Sequence, residues 1–385
     1  MATDRSKALG NKLLNPQLQN ALEFSARQAE RIVHKYPGYY PVYTVGGLWN
    51  REGERWTNWC EGFFPGILWL LHKHTGEARW RTAAEQYTAP LEPRRFDRNV
   101  HDLGFLFFST YLRWYHLTGD PKLRDILIDA GRTLALRRQK GGYLCSFVGP
   151  HSLFIDIMMN VGIVFWAARE TGDEGLHRIA LDHCRTTARY LVRSDGSTAH
   201  EGIFDADTGM FQREATHQGW NSESTWARGQ AWAIYGFTAA YRLNCHWDLE
   251  LELLNTARKC AQFWMKQAPE GRVPFWDFNL PKTERSLWDS SAAAIAASGL
   301  WDLSEAMGID KAEASLYRAA AHALLNNLCS DTFLASSRPN WEGILLHGLY
   351  HYHKGLGVDE SVAWGDHFLV EALVKALEGR SEAGW

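Results

Sequence analysis

Two aspartates, Asp102 and Asp156, have the residue type and the spacing for acid–base chemistry. Asp102 lies 16 residues before Thr118, and Asp156 lies 15 residues before Thr171, in segments that end in similar turns. At a rise of about 1.5 Å per residue, each acid stands at the start of a helix that ends at its turn. If the two helices are parallel, the two carboxyl groups meet at the same end of the molecule.

The neighbours of the two aspartates predict different roles. Asp156 lies between Phe-Ile and Ile-Met-Met, and burial favours the neutral form of a carboxyl group. We therefore expect Asp156 to keep a proton that it can donate as a general acid. Asp102 follows His101 and is close to the small Gly104. It could approach its partner and hold that proton in place by like-charge repulsion, or it could orient a substrate.

Other polar residues also stand near the starts of predicted helices. Arg228 could bind a carboxylate with two parallel N–H groups, although a surface position or an ion pair with Glu223 is the alternative. Trp232 could stack on a sugar or fill the core. For the acids Glu61, Asp289 and Glu342, helix capping is the favoured interpretation.

Three histidines, His347, His351 and His353, include the i, i+4 spacing of metal-binding helices. Because no acid in a recognised metal motif accompanies them, we expect no metal and no other cofactor. Within the same stretch, His347 or Tyr350 is expected to line the pocket, and Tyr350 is the predicted substrate contact.

The elements that position these residues form a repeat. A turn containing Thr-Gly and an acid recurs at 74–77, 117–120 and 170–173. Glycine suits the left-handed residue that ends a helix, and the acid suits the start of the next one. An apolar segment precedes each turn and an amphipathic segment follows it, so buried helices alternate with surface helices.

Extended along the chain, this pattern predicts an all-α fold, an (α/α)6 barrel of six helical hairpins, in one domain over residues 1–385. Strand signals are short, at 39–45 and 142–147. The predicted inner helices are 62–72, 103–116, 157–168, 225–243, 290–307 and 343–352. The predicted outer helices are 121–136, 174–192, 248–266, 311–328 and 361–377, with 15–34 added at the start.

Composition limits the choice of partners. The chain has 41 Lys and Arg against 44 Asp and Glu, without a long block of either sign, which argues against nucleic acid or an anionic membrane as a partner. Six scattered cysteines, the absence of a leader pattern and short apolar runs favour a reduced, cytoplasmic protein without a membrane span. We expect a monomer or a homodimer. The 18 Trp, 14 Tyr and 18 Phe suit a sugar ligand but also a core.

At the residues discussed above, the sequence resembles the unsaturated glucuronyl hydrolases of glycoside hydrolase family 88. The matching stretches include His-Asp-Leu-Gly-Phe and Ile-Asp-Ile-Met-Met-Asn, and they follow the family's order over most of the chain. They cover 56–66, 101–105, 155–160, 216–219, 224–232, 274–278, 289–292 and 343–348.

The resemblance implies an (α/α)6 barrel that acts on oligosaccharides with an unsaturated uronate at the non-reducing end. Family members hydrate the C4=C5 double bond of the uronate, in contrast to glycosidases that use two carboxylates at the anomeric carbon. Asp156 corresponds to the general acid/base and Asp102 to the second essential aspartate. The positions that correspond to substrate-binding residues are His200, Gln218, Arg228, Trp232 and, as an aromatic platform, Trp56.

The chain departs from the family pattern at Cys60 and Glu61, and near 141–142, where an aromatic residue is expected. The identity of the sugar next to the uronate is therefore open. One alternative is an unsaturated rhamnogalacturonyl hydrolase acting on pectin fragments. Others are a sugar 2-epimerase that uses two histidines, and a toroid that binds carbohydrate without catalysis.

Overall fold

The structure, a computed structural model, describes residues 15–50, 58–245, 250–308 and 310–381. Helices dominate these ranges, and none of the described helices is long and apolar enough to cross a membrane. The helices are α1 (Pro16–Lys35), α2 (Phe63–Thr75), α3 (Ala78–Thr88), α4 (Leu103–Phe107), α5 (Arg113–Thr118), α6 (Pro121–Ala135), α7 (Gly162–Thr171), α8 (Glu174–Leu191), α9 (Ala227–Asn244), α10 (Leu251–Gln267), α11 (Ser290–Ala306), α12 (Lys311–Leu328) and α13 (Ala363–Glu378).

The helices form two concentric rings, as the (α/α)6 prediction requires. The inner ring runs from α2 through α4–α5, α7, α9 and α11 to α13, which packs back against α2 and closes the circle. A π-helical turn, Phe108–Leu112, joins α4 to α5. The outer ring consists of α1, α3, α6, α8, α10 and α12. Inner helices such as α9 and α11 are buried on almost every side, which explains their apolar sequences.

The predicted turns are present. Gly76, Gly119 and Gly172 end α2, α5 and α7 in the left-handed conformation, with φ of 72°, 68° and 69°. Asp120 and Asp173 then cap α6 and α8 by accepting hydrogen bonds from main-chain N–H groups. The inner helices therefore run parallel, and all of their N-terminal ends face one mouth of the barrel.

The sixth hairpin differs from the prediction. Residues 343–352 do not form an inner helix, because their second half is a strand. Gly348 shows why: a Cβ atom there would lie 2.8 Å from the carbonyl oxygen of Glu360 on the paired strand. The sixth inner helix is α13, and its outer partner is α1, so the two ends of the chain build one hairpin.

The prediction of an outer helix over 361–377 was wrong because of charged residues. Asp366, Glu371 and Lys375 give α13 an amphipathic pattern, yet each is at most 3% exposed. Their partners lie on other helices of the inner ring or, for Asp366, in the main chain of Ile344 and Leu345. In α13, charged residues at helical spacing therefore form buried polar contacts inside the barrel and do not mark a solvent-exposed face.

Small antiparallel sheets lie beside the barrel helices, and only some of their strands fall within the segments that the sequence predicted as strands. The strands pair as β1 with β2, as β3-β4-β5, and as β6 with β7. In the second sheet, Phe154 pairs with Glu201, which brings the start of the third inner helix next to the chain at His200. The strands are β1 (Thr44–Val45), β2 (Leu48–Trp49), β3 (Ser152–Phe154), β4 (Glu201–Phe204), β5 (Phe211–Ala215), β6 (Gly348–His351) and β7 (Leu356–Glu360).

Candidate active site

A pocket of about 220 Å³ opens at the mouth of the barrel where the inner helices begin. Apolar rings form much of its wall, and its polar groups come from the starts of inner helices, from the loop between β5 and α9, and from β6 and the turn after it. Six of the eight predicted site residues line it: Asp102, Asp156, Gln218, Arg228, Trp232 and Tyr350. Trp56 lies outside the described residues, and His200 lies behind the pocket wall.

Asp102 precedes α4 and is 5% exposed. Its side chain makes no capping hydrogen bond to the helix, although an aspartate at that position usually does. Burial raises the pKa of Asp102 to about 8, and the charge of Asp156 adds to the rise. This raised pKa favours the protonated form of Asp102 at neutral pH in the free protein.

Asp156 lies in the 3-10 turn Ile155–Met159 that leads into α7. The turn packs against α4 because Gly104 has no side chain: a Cβ atom there would come within 2.5 Å of the Cα atom of Asn160. The Asn160 side chain also links the two elements, since it accepts from the N–H of Phe105 and donates to the carbonyl oxygen of Asp156. Two carboxyl groups that line the same pocket, one of them with a raised pKa, are typical of acid–base catalysis.

Arg228 is buried, 1% exposed, in the first turn of α9. One of its Nη groups lies 3.1 Å from Asp289 and also donates to the carbonyl oxygen of Leu349. The other donates to Gln218 Oε1 at 2.6 Å and to the carbonyl oxygen of Tyr350 at 2.8 Å. Neither the surface position nor the pairing with Glu223 is observed. Protein acceptors already occupy both Nη groups that were expected to bind a substrate carboxylate.

Gln218 gains a defined orientation from this contact. Because the arginine can only donate, the Gln218 atom that faces it is the carbonyl oxygen, and the amide NH2 group points away. Gln218 lines the pocket, so the arginine presents a neutral donor to whatever binds there.

The aromatic wall contains both predicted rings. Trp232 packs against Phe105 with ring centroids 5.0 Å apart, and it is 1% exposed. The Tyr350 hydroxyl accepts a hydrogen bond from the indole of Trp59 at 3.3 Å. Trp59 also lines the pocket, three residues from the predicted Trp56.

Of the three acids that were expected to cap helices, one caps a helix and also forms an ion pair, and the other two form ion pairs without capping a helix. Asp289 caps α11 through the N–H groups of Ser291 and Ala292, as predicted, and also pairs with Arg228. Glu61 forms an ion pair with Arg94 at 2.6 Å instead of capping. Glu342 forms a very short contact of 2.5 Å with Lys35. None of these acids lines the main pocket.

The three histidines between 347 and 353 do not converge. His347 is 2.6 Å from Asp359, whereas His353 contacts the carbonyl oxygen of Gly219 at 2.8 Å. His347 precedes β6, His351 is its last residue and His353 lies in the 3-10 turn Tyr352–Lys354, so no single α-helix carries them. Within the described ranges, no group of three or more His, Cys, Asp or Glu side chains could hold a metal ion.

Comparison with known proteins places this barrel in a family. Residues 25–354 match Glycosyl Hydrolase Family 88, and this range includes every residue that lines the pocket. The chain belongs to glycosyl hydrolase family 88. It is thus a glycoside hydrolase, as the sequence motifs had implied.

Relatives within family 88 align over most of their length. The unsaturated glucuronyl hydrolase of Bacillus sp. (strain GL1) is 33% identical over 84% of this chain and 87% of the relative. The unsaturated chondroitin disaccharide hydrolase of Streptococcus pyogenes serotype M1 is 32% identical over 83% and 81%. The crystal structure of the Bacillus sp. GL1 enzyme superposes with a TM-score of 0.88 at 30% identity, covering 96% of this chain and 99% of that one. An unsaturated glucuronyl hydrolase specific for heparin gives a TM-score of 0.85 at 30% identity, covering 94% and 97%.

Several residues of this family 88 pocket were missed in the sequence. They include Phe147 and Val148 from the loop after α6, and His351 and Lys354 from the β6–β7 hairpin. Neither segment carries a helical repeat, so spacing could not place their side chains. His217 could have been predicted as a pocket residue more readily than these four, because it directly precedes the predicted Gln218. It lies 3.2 Å from the buried Glu201, and a hydrogen bond to that carboxylate raises the pKa of His217.

Proposed function

We propose that the protein releases the unsaturated uronate from the non-reducing end of oligosaccharides produced by polysaccharide lyases. The carboxyl pair Asp102 and Asp156 carries this proposal, because both groups line one aromatic pocket and the charge of Asp156 contributes to the raised pKa of Asp102. The names of the relatives support the substrate class, since they describe hydrolases of unsaturated glucuronyl and chondroitin compounds.

The reaction is the hydration of a vinyl ether. Asp156 gives a proton to C4 of the C4=C5 double bond, and positive charge develops at C5 and the ring oxygen. A water molecule then adds to C5 while a carboxylate takes up its proton, so the proton inventory of the pair is restored. The resulting hemiketal opens and releases the remaining sugar. The raised pKa of Asp102 keeps one proton on the pair at neutral pH.

Substrate contacts follow from the pocket wall. The NH2 group of Gln218, oriented by Arg228, donates to the uronate carboxylate, while Arg228 contributes its positive charge from behind. Trp232 and Tyr350 pack against the sugar ring. Trp56 remains a predicted aromatic platform. His200 remains a predicted substrate contact from the family resemblance, although it is 2% exposed behind Asp156.

The proposed function is consistent with a chain organised as a single domain. We propose one catalytic domain, since the described helices share one hydrophobic core. The cytoplasmic location and the monomeric or homodimeric state stay predictions from the sequence.

The test is a panel of unsaturated disaccharides prepared with hyaluronan, chondroitin, heparin and pectin lyases. Loss of the ultraviolet absorbance of the conjugated double bond reports hydration directly. We expect turnover of at least one glycosaminoglycan disaccharide by the wild-type protein. Turnover of the pectin product alone would assign the protein as a rhamnogalacturonyl hydrolase, and no loss of absorbance with any substrate would refute the proposal.

A further inference from the structure

His101 stands directly behind Asp102 and has a fixed tautomer. Its Nδ1 atom accepts a hydrogen bond from the main-chain N–H of Phe147 at 3.0 Å, so the ring proton resides on Nε2. Nε2 lies 3.3 Å from Asp102 Oδ1. Burial lowers the pKa of His101 to about 3, so this contact joins a neutral imidazole N–H to the carboxyl group and is not an ion pair.

The ring of His101 cannot easily turn away. It stacks on Phe147 with an interplanar angle of 14° and meets the edge of Phe154 at 85°. Only 3% of the residue is exposed. The loop after α6 and strand β3 therefore fix the plane of the imidazole, with Nε2 close to the aspartate.

Asp156 has a similar histidine neighbour. His200 Nδ1 accepts from the main-chain N–H groups of His217 at 3.0 Å and Gln218 at 3.3 Å. In the neutral ring the proton must again be on Nε2, which lies 3.5 Å from Asp156 Oδ2. Each carboxyl group of the pair thus faces a histidine N–H whose position is set by main-chain amides of a separate loop.

We propose that His101 is a positioning residue for Asp102, which uses an N–H group locked by the Phe147 amide to orient that carboxyl group and favour its ionised form. This inference rests on the proposed function and adds a residue to it. A donor that faces a carboxylate stabilises the charged state over the neutral one. Such contacts are often long without substrate and shorten when it binds. His101 thereby limits how strongly Asp102 holds the shared proton.

Other charges also act on this carboxyl group, and the test must keep them constant. Asp156 and Asp97 raise the pKa of Asp102, whereas Arg137 and Arg94 lower it. On the hairpin side, the charge of Asp102 contributes to the raised pKa of Tyr350, which is therefore neutral. His101 is neutral as well, so replacing it with another neutral residue leaves the charges around Asp102 unchanged.

The experiment compares two replacements of the histidine. His101→Phe keeps the ring shape but removes both nitrogen atoms, whereas His101→Gln places an amide N–H near the position of Nε2. We expect His101→Phe to lower kcat about ten- to a hundredfold, in the range found for outer partners of active-site groups. We also expect it to move the Asp102 limb of the kcat/KM pH profile to higher pH by about one unit. His101→Gln should restore most of the wild-type kcat and most of the wild-type position of the pH limb. If His101→Phe does not fold, His101→Asn, which is too short to reach Asp102, takes its place.

His183 provides a matched control. It is fully buried and its Nδ1 accepts from the N–H of Leu144 in the same loop, but no ion pair to a carboxyl group is observed for its ring within the described residues. His183→Phe should change thermal stability without moving the pH limb. Equal pH profiles for His101→Phe and His183→Phe would overturn the proposal. Titration of the Asp102 carboxyl by carbon NMR reports the same shift without substrate, so failure of the inference remains distinct from failure of the proposed function.

Discussion

In the proposed mechanism, Asp102 and Asp156 share one proton, and the loss of that proton sets the upper pH limit of activity. Because the pKa of Asp102 is raised to about 8, the last proton of the pair leaves near that pH. A pair without a proton cannot protonate an alkene. We therefore predict that kcat/KM for an unsaturated disaccharide falls above about pH 8, tenfold per pH unit, when measured between pH 5 and pH 10 by loss of absorbance.

Replacement of the two carboxyl groups separates their roles. Asp156→Asn should lower kcat by about 10²- to 10⁴-fold, the usual contribution of a general acid, while the Kd for the disaccharide changes little. Asp102→Asn serves as the comparison variant. The pH profile of its residual kcat/KM should not show the fall near pH 8, because the titrating carboxyl group has been removed. Measurable turnover by Asp156→Asn at more than a tenth of the wild-type rate would move the donor role to another group.

At the scale of single residues, helical spacing predicted both aspartates and the arginine of the pocket but not their contacts. Asp102 and Asp156 could be found because each stands a fixed distance before a turn. The orientation of Arg228 could not be found, since its acceptors include the main-chain carbonyl oxygens of Leu349 and Tyr350, far away in the chain. Local sequence does not encode such an acceptor, because every residue has a carbonyl group.

At the scale of elements, the pair exists because α4 and the turn before α7 pack backbone to backbone. Gly104 makes this possible, because a Cβ atom there would lie 2.5 Å from the Asn160 Cα atom. We predict that Gly104→Ala pushes the two elements apart and costs about 1–3 kcal/mol of unfolding free energy, as overpacking does. The separation of the carboxyl groups should lower kcat at least tenfold. Urea unfolding and the absorbance assay measure the two effects.

The comparison for this change is Gly175→Ala on the outer helix α8. A Cβ atom at Gly175 has one neighbour within 4 Å, the Asp173 carboxylate at 3.0 Å. This variant should keep wild-type turnover and a similar free energy of unfolding. If Gly104→Ala kept full activity, the close approach of α4 would not be what holds the carboxyl pair together.

The hairpin that completes the ring shows where element prediction failed. Each of the three Thr-Gly turns connects two helices that are consecutive in the sequence, so the turn itself predicts the hairpin. The sixth pair, α13 with α1, joins helices from opposite ends of the sequence and has no connecting turn. The apolar stretch 343–352 looked like the missing inner helix. Its chain instead forms β6 at the pocket mouth, where Asp366 of α13 accepts hydrogen bonds from the N–H groups of Ile344 and Leu345.

At the scale of the whole molecule, charged groups close the ring from inside. Glu371 and Lys375 of α13 meet Arg113 of α5 and Asp302 of α11, and all four side chains are at most 5% exposed. Arg113 lies 2.9 Å from Glu371, and Lys375 lies 2.9 Å from Asp302. Burial raises the pKa of Glu371, but Lys375 and Arg113 outweigh this effect and hold it far below its ordinary value. These ion pairs connect three helices of the inner ring.

Removal of one cation should therefore weaken the closed ring. Lys375→Met leaves the buried carboxylates without their shared partner, and we predict a loss of about 3–5 kcal/mol of unfolding free energy by urea denaturation at pH 7. Lys266→Met, at an exposed site on α10, should change it by no more than about 0.5 kcal/mol. Because the folded pKa of Glu371 is depressed, its contribution is present above the ordinary pKa of 4.5 and is lost as the pH falls below it. An acid transition that stayed the same in Lys375→Met, together with unchanged stability at pH 7, would show that apolar packing alone closes the barrel.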